Sequence, residues 1–353
     1  MMNHSFTFDI NPGRILFGPG TLDRVTDEID RLGARQALIL STPYQRADAQ
    51  RLAERLGPRA AGVFSEATMH TPVPVTLKAL QAFEQAGADC IVALGGGSTI
   101  GLGKAIAWRN DAPQIVVATT YAGSEVTPVL GQTENGIKTT IRDAKILPEV
   151  VIYDPTLTLE LPVPMSITSG LNAIAHAVEA VYARDRNPVS SLMAIEGVRA
   201  LRDALREIVR SPDDLQARSE ALYGSWLCGS VLGTVGMALH HKLCHTLGGS
   251  FNLPHAETHA IVLPHSAAYN ARAASKELQP MADLFGGEIG GGLYDFARSL
   301  GAPLALKDLG LAESQLDAAA DLAVRNPYWN PRPVECDAIR SLLQRAWEGA
   351  RPE

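Results

Sequence analysis

Residues 90–107 read CIVALGGGSTIGLGKAIA. A short apolar run ends in Gly95-Gly96-Gly97-Ser98 and continues into helix-forming sequence, the pattern of a buried strand, a tight turn and a helix. Glycines at such a turn let backbone N–H groups approach a pyrophosphate, and the helix N-terminus adds about half a positive charge. A tight βα turn holding no ligand has the same composition, so the stretch decides the fold more firmly than the ligand. It makes Gly95, Gly96, Gly97 and Ser98 candidate cofactor contacts.

Further apolar runs flank it at 36–40 (QALIL), 61–64 (AGVF), 115–119 (IVVAT) and 150–153 (VVIY), separated by amphipathic stretches such as 75–86. Strand-like runs alternating with helical segments predict an α/β layer with a largely parallel, Rossmann-like sheet. After Asp154-Pro155 the β-branched runs stop. From about residue 166 onward only helices are expected, with periodic stretches at 188–209, 213–232 and 335–349. The boundary is placed where TLTLELPVP (156–164) carries two prolines, giving an α/β domain over 1–158 and an all-helical substrate domain over 159–353. No internal repeat or low-complexity tract is found, and GGEIGGG (286–292) is expected to be a turn between helices.

The run at 115–119 leads into TTYAGSEVT (119–127). Ligands of open α/β sheets sit beyond the carboxyl ends of the strands, where hydroxyls suit ribose and phosphate oxygens. Thr119, Thr120, Ser124 and Thr127 therefore join the cofactor candidates, although Ser124 and Thr127 could equally cap a helix. Two such loops at successive strand ends favour a dinucleotide crevice more than either does alone.

Composition narrows the partners. The chain has 353 residues, 46% hydrophobic and 20% charged, with a formal charge of −7. It can bury a sizeable core and lacks the concentrated positive field that nucleic acid or an anionic membrane needs, leaving small-molecule chemistry. Cys90, Cys228, Cys244 and Cys336 are scattered without CxxC spacing, as for free thiols in a reducing compartment. MMNHSFTFDINPGR has no basic region followed by an apolar stretch, so a cytoplasmic location is expected. The charge-free run 221–239 is long enough to cross a bilayer. Its four glycines and lack of flanking anchors predict a central helix packed by protein instead.

Seven of the nine histidines fall between 176 and 265. Asn172-x3-His176, His241-x3-His245 and His255-x3-His259 each place two side chains on one helix face, one turn apart. A divalent metal among imidazoles normally wants a carboxylate for its charge, and here that place is taken by the neutral Asn172, a much poorer ligand. The cluster predicts a site without a strong metal.

GGGSTIGLGKAIA, TTYAGSEVTP, YDPTLTLELP, SGLNAIAHAVEA and HHKLCHTLGGSFNLPHAETHAIVLPH, in this order and spacing, resemble the iron-containing (group III) alcohol dehydrogenase family, whose fold is shared with the dehydroquinate synthases. The resemblance runs from RILFGPGTL to NPYWNPRPV. It implies a Rossmann-like N-terminal domain, an all-helical C-terminal domain, a nicotinamide cofactor, a homodimer and, in most members, a metal held by one Asp and three His. The carboxylate position falls on Asn172 and the ligand histidines on His176, His241 and His255, while His245 matches a histidine near the nicotinamide and Lys138 a cofactor-contacting lysine. Gly101 and Thr42 stand where many members carry Asp. These departures, with TTYAGSE and NPYWNPRP, resemble one branch, the maleylacetate reductases of aromatic-compound degradation, associated with metal-independent activity.

That branch implies NADH- or NADPH-dependent reduction of a carbon–carbon double bond in a small dicarboxylate, maleylacetate, to 3-oxoadipate. Charge then develops on a keto oxygen as an enolate, which hydrogen-bond donors can stabilise without a Lewis acid. His176, His241, His245 and His255 become donors and proton sources, with Asn172 holding a histidine or a substrate oxygen. His240, His259 and His265 are expected only to pack. Of the cations that could meet a dianion, Arg332 in Asn330-Pro331-Arg332 is preferred, with Tyr328 at the pocket border. The rival readings are a metal-dependent alcohol or polyol dehydrogenase of the same family and an NAD-using lyase like the dehydroquinate synthases.

Overall fold

The structure is a computed structural model that describes residues 6, 8, 13–134, 137–325 and 328–352. The decisive stretch is strand β4, Cys90–Gly95, buried along its whole length. A parallel strand covered on both faces must be apolar at every position, which is why CIVAL reads as a continuous run. Its neighbours are β1 (Arg14–Phe17), β2 (Ala37–Leu40), β3 (Ala60–Phe64), β5 (Gln114–Ala118) and β8 (Val150–Tyr153), in the parallel order β1-β8-β5-β4-β2-β3.

Alternation along β4 assigns its two faces. Cys90, Val92 and Leu94 pack with Ile39, Ile115 and Val117 against Val25 and Ile29 of helix α1 (Val25–Arg31) and Leu52 and Leu56 of α2 (Arg46–Leu56). Ile91 and Ala93 face helix α4 (Gly97–Asn110) at Gly103, where a Cβ would lie 3.5 Å from Ala93 Cβ and 3.6 Å from Ile91 Cγ2. Helix α3 (Val73–Gln85) packs beside α4.

The five strands expected from apolar runs are present, and three more are not foreshadowed by such runs. β1 is four residues long and mostly uncovered. β6 (Val129–Glu134) and β7 (Ile137–Arg142) form a separate antiparallel hairpin. Its strands VLGQTE and IKTTIR are largely polar, so they carry no hydrophobic run to read.

The second half is helical: α5 (Val163–Ala180), α6 (Pro188–Arg210), α7 (Leu215–Thr234), α8 (Leu239–Phe251), α9 (His255–Leu284), α10 (Ile289–Leu300), α11 (Leu316–Val324) and α12 (Cys336–Glu348). The glycine-rich segment is a turn only at Gly286 and Gly287, both at positive φ, because Gly290 to Gly292 already belong to α10. The charge-free run is not one helix. It breaks after Thr234, and α7 and α8 meet at 95°; among the described residues no single helix is long and apolar enough to cross a membrane. Contact density separates two compact units, Ile10–Leu161 with Asp213–Leu222, and Pro162–Pro212 with Tyr223–Glu353.

α6 and α7 approach at backbone distance because both crossing residues are glycine. A Cβ on Gly197 would lie 2.7 Å from Cys228 Sγ and 3.1 Å from the Gly224 carbonyl oxygen. Gly197→Ala is therefore expected to destabilise the protein by about 1–3 kcal/mol through overpacking. Urea titration should show a lower midpoint at unchanged slope, and an unaltered midpoint would mean that the helices can separate freely.

Candidate active site

The α/β unit supplies a dinucleotide seat at the end of β4. Gly95 has φ +155°, and a Cβ there would clash with Thr99. Gly96 is extended, and a Cβ would lie 2.6 Å from Thr120 Cγ2. Gly97 opens α4 with nothing within 4 Å of its Cβ position, so the start of the helix is not crowded on that side. Thr119 and Thr120 follow β5 directly, and the Gln45 amide donates to Thr119 Oγ1 at 3.1 Å. Thr42 precedes α2 at the end of β2, while its neighbour Ser41 is fully buried and bonded to Ser65 at 2.9 Å.

Loop 119–128 is held from below by charges that the sequence reading passed over. Lys104, fully buried on α4, donates to the Ser124 carbonyl, to Thr127 Oγ1 at 2.9 Å and to the Val129 carbonyl at 3.0 Å. Burial lowers its pKa to about 7, with Glu125 opposing. Tyr153 donates to Glu125 Oε1 at 2.7 Å, and buried Arg218 donates to Tyr121 OH at 3.1 Å and the Leu161 carbonyl at 3.1 Å. Thr127 is 1% exposed, accepting from Lys104 and donating to the Ser124 carbonyl, so it braces the loop behind the surface. Ser124 Oγ is buried without a partner among the described residues. Lys138 lies on β7 with its ammonium 3.5 Å from His70 Nδ1.

Gly101, where family members often carry Asp, has a local explanation. A Cβ there would collide with the hydroxyl of Thr71, which stands with His70 in left-handed backbone at φ 45° and 65°. The strained turn puts a threonine into the space that a side chain at position 101 would use.

In the helical unit, α5, α8 and α9 bring the histidines together. His176 and His241 stack with ring centroids 5.0 Å apart, His255 and His259 lie at 4.4 Å, and His241 and His245 at 6.1 Å. His240 and His259, expected only to pack, form a layer behind them: His240 Nε2 is 2.9 Å from His259 Nδ1 and 3.6 Å from Cys244 Sγ. Burial, with the charge of His241 adding to it, lowers the pKa of His240 to about 3. Asn172, buried on α5, has an Oδ1 without a partner among the described residues.

The residue missed by sequence reading is Glu179. Its carboxylate accepts from the backbone amides of Ala238 at 3.0 Å and His240 at 2.7 Å, from Tyr182 OH at 3.2 Å, and from His241 Nδ1 at 2.6 Å. Burial pushes its carboxyl up, but the hydrogen bond and charge of His241, the charge of His240 and the Ala238 amide outweigh this and hold the pKa at about 2. An ionised carboxylate only accepts, so His241 Nδ1 carries hydrogen, and in neutral His241 Nε2 accepts from His176 Nδ1–H at 2.8 Å. The signal was present: Glu179 lies one turn beyond His176, the sole charge in the apolar helix VPMSITSGLNAIAHAVEA.

The two proposed substrate residues part company. Tyr328 has a buried hydroxyl without a partner among the described residues, its pKa raised by burial and by Glu179, and the Lys242 ammonium lies 5.7 Å from its ring. Arg332 turns away: its guanidinium stacks on Tyr269 at 3.9 Å and lines a cavity containing none of the four matched histidines. Between them Asn330, also unforeseen, bonds twice to Asn270 and accepts from the Leu239 amide at 3.3 Å.

Sequence profiles now give the family. Residues 12–155 match iron-containing alcohol dehydrogenase, and residues 166–347 match the C-terminal part of the Fe-containing alcohol dehydrogenase family. The chain belongs to the iron-containing alcohol dehydrogenase family. A maleylacetate reductase of Rhizobium sp. (strain MTP-10005) is 65% identical over 348 residues, 99% of either chain, and one of Burkholderia cepacia is 55% identical over 350 residues, again 99% of either. The crystal structure of a maleylacetate reductase from Agrobacterium tumefaciens matches with a TM-score of 0.95 at 63% identity, over 99% of this chain and 100% of that one. An iron-containing alcohol dehydrogenase from Corynebacterium glutamicum matches at 0.93 and 39% identity, over 99% of each.

The residues that the resemblance maps onto the family's metal position fit a divalent ion poorly. Asn172, His176, His241 and His255 supply no negative charge, the Glu179 carboxylate is taken up by its bonds to α8 and His241, and Asn172 offers only an amide oxygen. His240, Cys244 and His259 also lie close enough to share an ion, but their contacts to one another already form the buried layer behind the site.

Glu179→Gln would present an NH₂ group to donors and release the His241 tautomer. On the order of a hundredfold loss in kcat is expected, with NADH affinity little changed. Steady-state kinetics and NADH fluorescence titration on the folded variant check this; near-normal kcat would leave Glu179 a helix cap and nothing more.

Proposed function

We propose that the chain reduces the carbon–carbon double bond of maleylacetate, with NADH or NADPH, to 3-oxoadipate in aromatic-compound degradation. The carrying observation is the 65% identity, over 99% of the chain, to a maleylacetate reductase. Residues 1–158 would serve the dinucleotide and 159–353 the substrate. The bound nicotinamide supplies the hydride.

The chain's own residues then do three things. Gly96, Gly97, Ser98, Thr119 and Thr120 hold the cofactor's phosphates and hydroxyls. His245 and His255, with Tyr328, donate hydrogen bonds to the enolate oxygen as charge develops there, while the paired His176 and His241 become donors only when protonated, and one of the four histidines supplies the proton that completes reduction. Glu179 keeps His241 in the tautomer that lets it accept from His176. Donors replace a Lewis acid in this scheme, so the activity is proposed to need no metal, in keeping with the neutral Asn172.

Ser41 and Thr42 offer no carboxylate to repel a 2′-phosphate, so both cofactors should serve. None of the four cysteines is joined in a disulfide, which supports a reducing, cytoplasmic setting. A homodimer, following the family resemblance, and the absence of a nucleic-acid partner complete the proposal.

Purified protein incubated with excess EDTA should consume NADH and NADPH with maleylacetate and form 3-oxoadipate. Loss of activity on chelation with recovery on adding Fe²⁺ or Zn²⁺ would favour the metal-dependent reading. A preference for NADH above about a thousandfold, ~4 kcal/mol, would mean that another group excludes the phosphate.

A further inference from the structure

The cavity that Arg332 lines has the chemistry of a second anion site. Its volume is about 230 Å³, and three arginines reach it from three segments: Arg272 on α9, Arg332 after α11, and Arg345 on α12, with His265, Tyr269 and Ser341. Among the described residues no aspartate or glutamate lines it. Arg332 donates to the Tyr269 carbonyl at 3.2 Å and Arg345 to the Arg351 carbonyl at 2.7 Å, and none of the three forms an ion pair with a described carboxylate. Their neighbours behave otherwise. Arg340, on the same helix as Arg345, pairs with Asp317 at 2.5 Å, and Arg351 pairs with Glu288 and Asp295.

A chain of net charge −7 that gathers around one cavity three guanidinium groups, none of them ion-paired to a described carboxylate, leaves strong, fork-shaped donors without an anionic acceptor. The back wall adds another unsatisfied group. His265 is 3% exposed, its Nε2 is buried without a partner among the described residues, and burial together with Arg345 holds its pKa down at about 4. At ~30 Å³ per water the volume equals about seven or eight waters, the scale of a phosphate or short dicarboxylate rather than a nucleotide.

We propose that this cavity binds a small dianion, as phosphate or as the two ends of a short dicarboxylate, independently of the histidine cluster. Arg272, Arg332 and Arg345 clasp the charge, with His265 and Tyr269 in the wall beside them. Binding ties α9 to α12 and to segment 328–333, whose Asn330 already accepts from the first amide of α8.

The test is thermal unfolding in increasing phosphate or adipate, with sodium chloride at matched ionic strength as reference. Phosphate, adipate or both should raise Tm to a plateau in wild-type protein and in His241→Ala, which separates this cavity from the active site. The half-saturating concentration should rise by about tenfold or more in Arg272→Gln/Arg345→Gln and in Arg272→Glu, the latter changing one exposed residue. Neither substitution should alter kcat/KM for maleylacetate in anion-free buffer. The proposal fails if chloride reproduces the rise, if the rise disappears in His241→Ala, or if both arginine variants respond as wild type does.

Discussion

Much of the helical unit depends on what one buried carboxylate does for the start of α8. Ala238, at the cap position before that helix, has a side chain that cannot cap, and it directly follows a break that turns the chain by 95°. Orphaned N–H groups at a buried helix start are costly, and here they are met from outside: Glu179 takes those of Ala238 and His240, and Asn330 takes that of Leu239. The partial positive charge of the helix end in turn favours the ionised carboxylate. The same oxygens hold His241 Nδ1, so the device that lets α8 begin also decides which nitrogen of His241 faces His176. Structure and chemistry cannot be varied separately at this position.

The α/β unit repeats the principle with the sign changed. Lys104 is buried where three oxygens of loop 124–129 converge, and the cost of desolvating an ammonium is offset by those bonds and by Glu125 nearby. With Tyr153 beneath Glu125 and Arg218 beneath Tyr121, the loop following β5 is tied at three points before any ligand arrives. A loop fixed in this way does not need to be ordered at the moment of binding, and affinity for a dinucleotide gains accordingly.

What could be read in the sequence follows from how local the physics is. CIVAL and the glycines after it were legible because a strand buried on both faces must be apolar throughout and because its turn admits no Cβ. The hairpin 129–142 was not, since polar strands share their composition with loops. The histidines declared themselves by spacing on single helices, whereas Glu179 acts on residues 59 to 62 positions away and Asn330 on one 91 away, distances at which no periodicity operates. Arg332 shows the converse limit: flanking prolines say nothing about the direction of its guanidinium, which stacking on Tyr269 decides.

Asn172 shows why a neutral residue suits this position. A carboxylate there would serve a metal, but without the metal it would set a negative charge among imidazoles and against the keto acid of a dianionic substrate, a repulsion that a buried, low-dielectric setting magnifies. The amide keeps the shape and removes the charge. Its Oδ1 is left unpartnered at about 1–3 kcal/mol of desolvation, tolerable where a ligand can provide the missing bond. The amide can also turn to offer its two N–H donors instead, since oxygen and nitrogen occupy equivalent positions. A group that can accept from a histidine or donate to an enolate oxygen is worth more to hydride addition across a double bond than a fixed anion, because the charge to be stabilised exists only while the hydride moves.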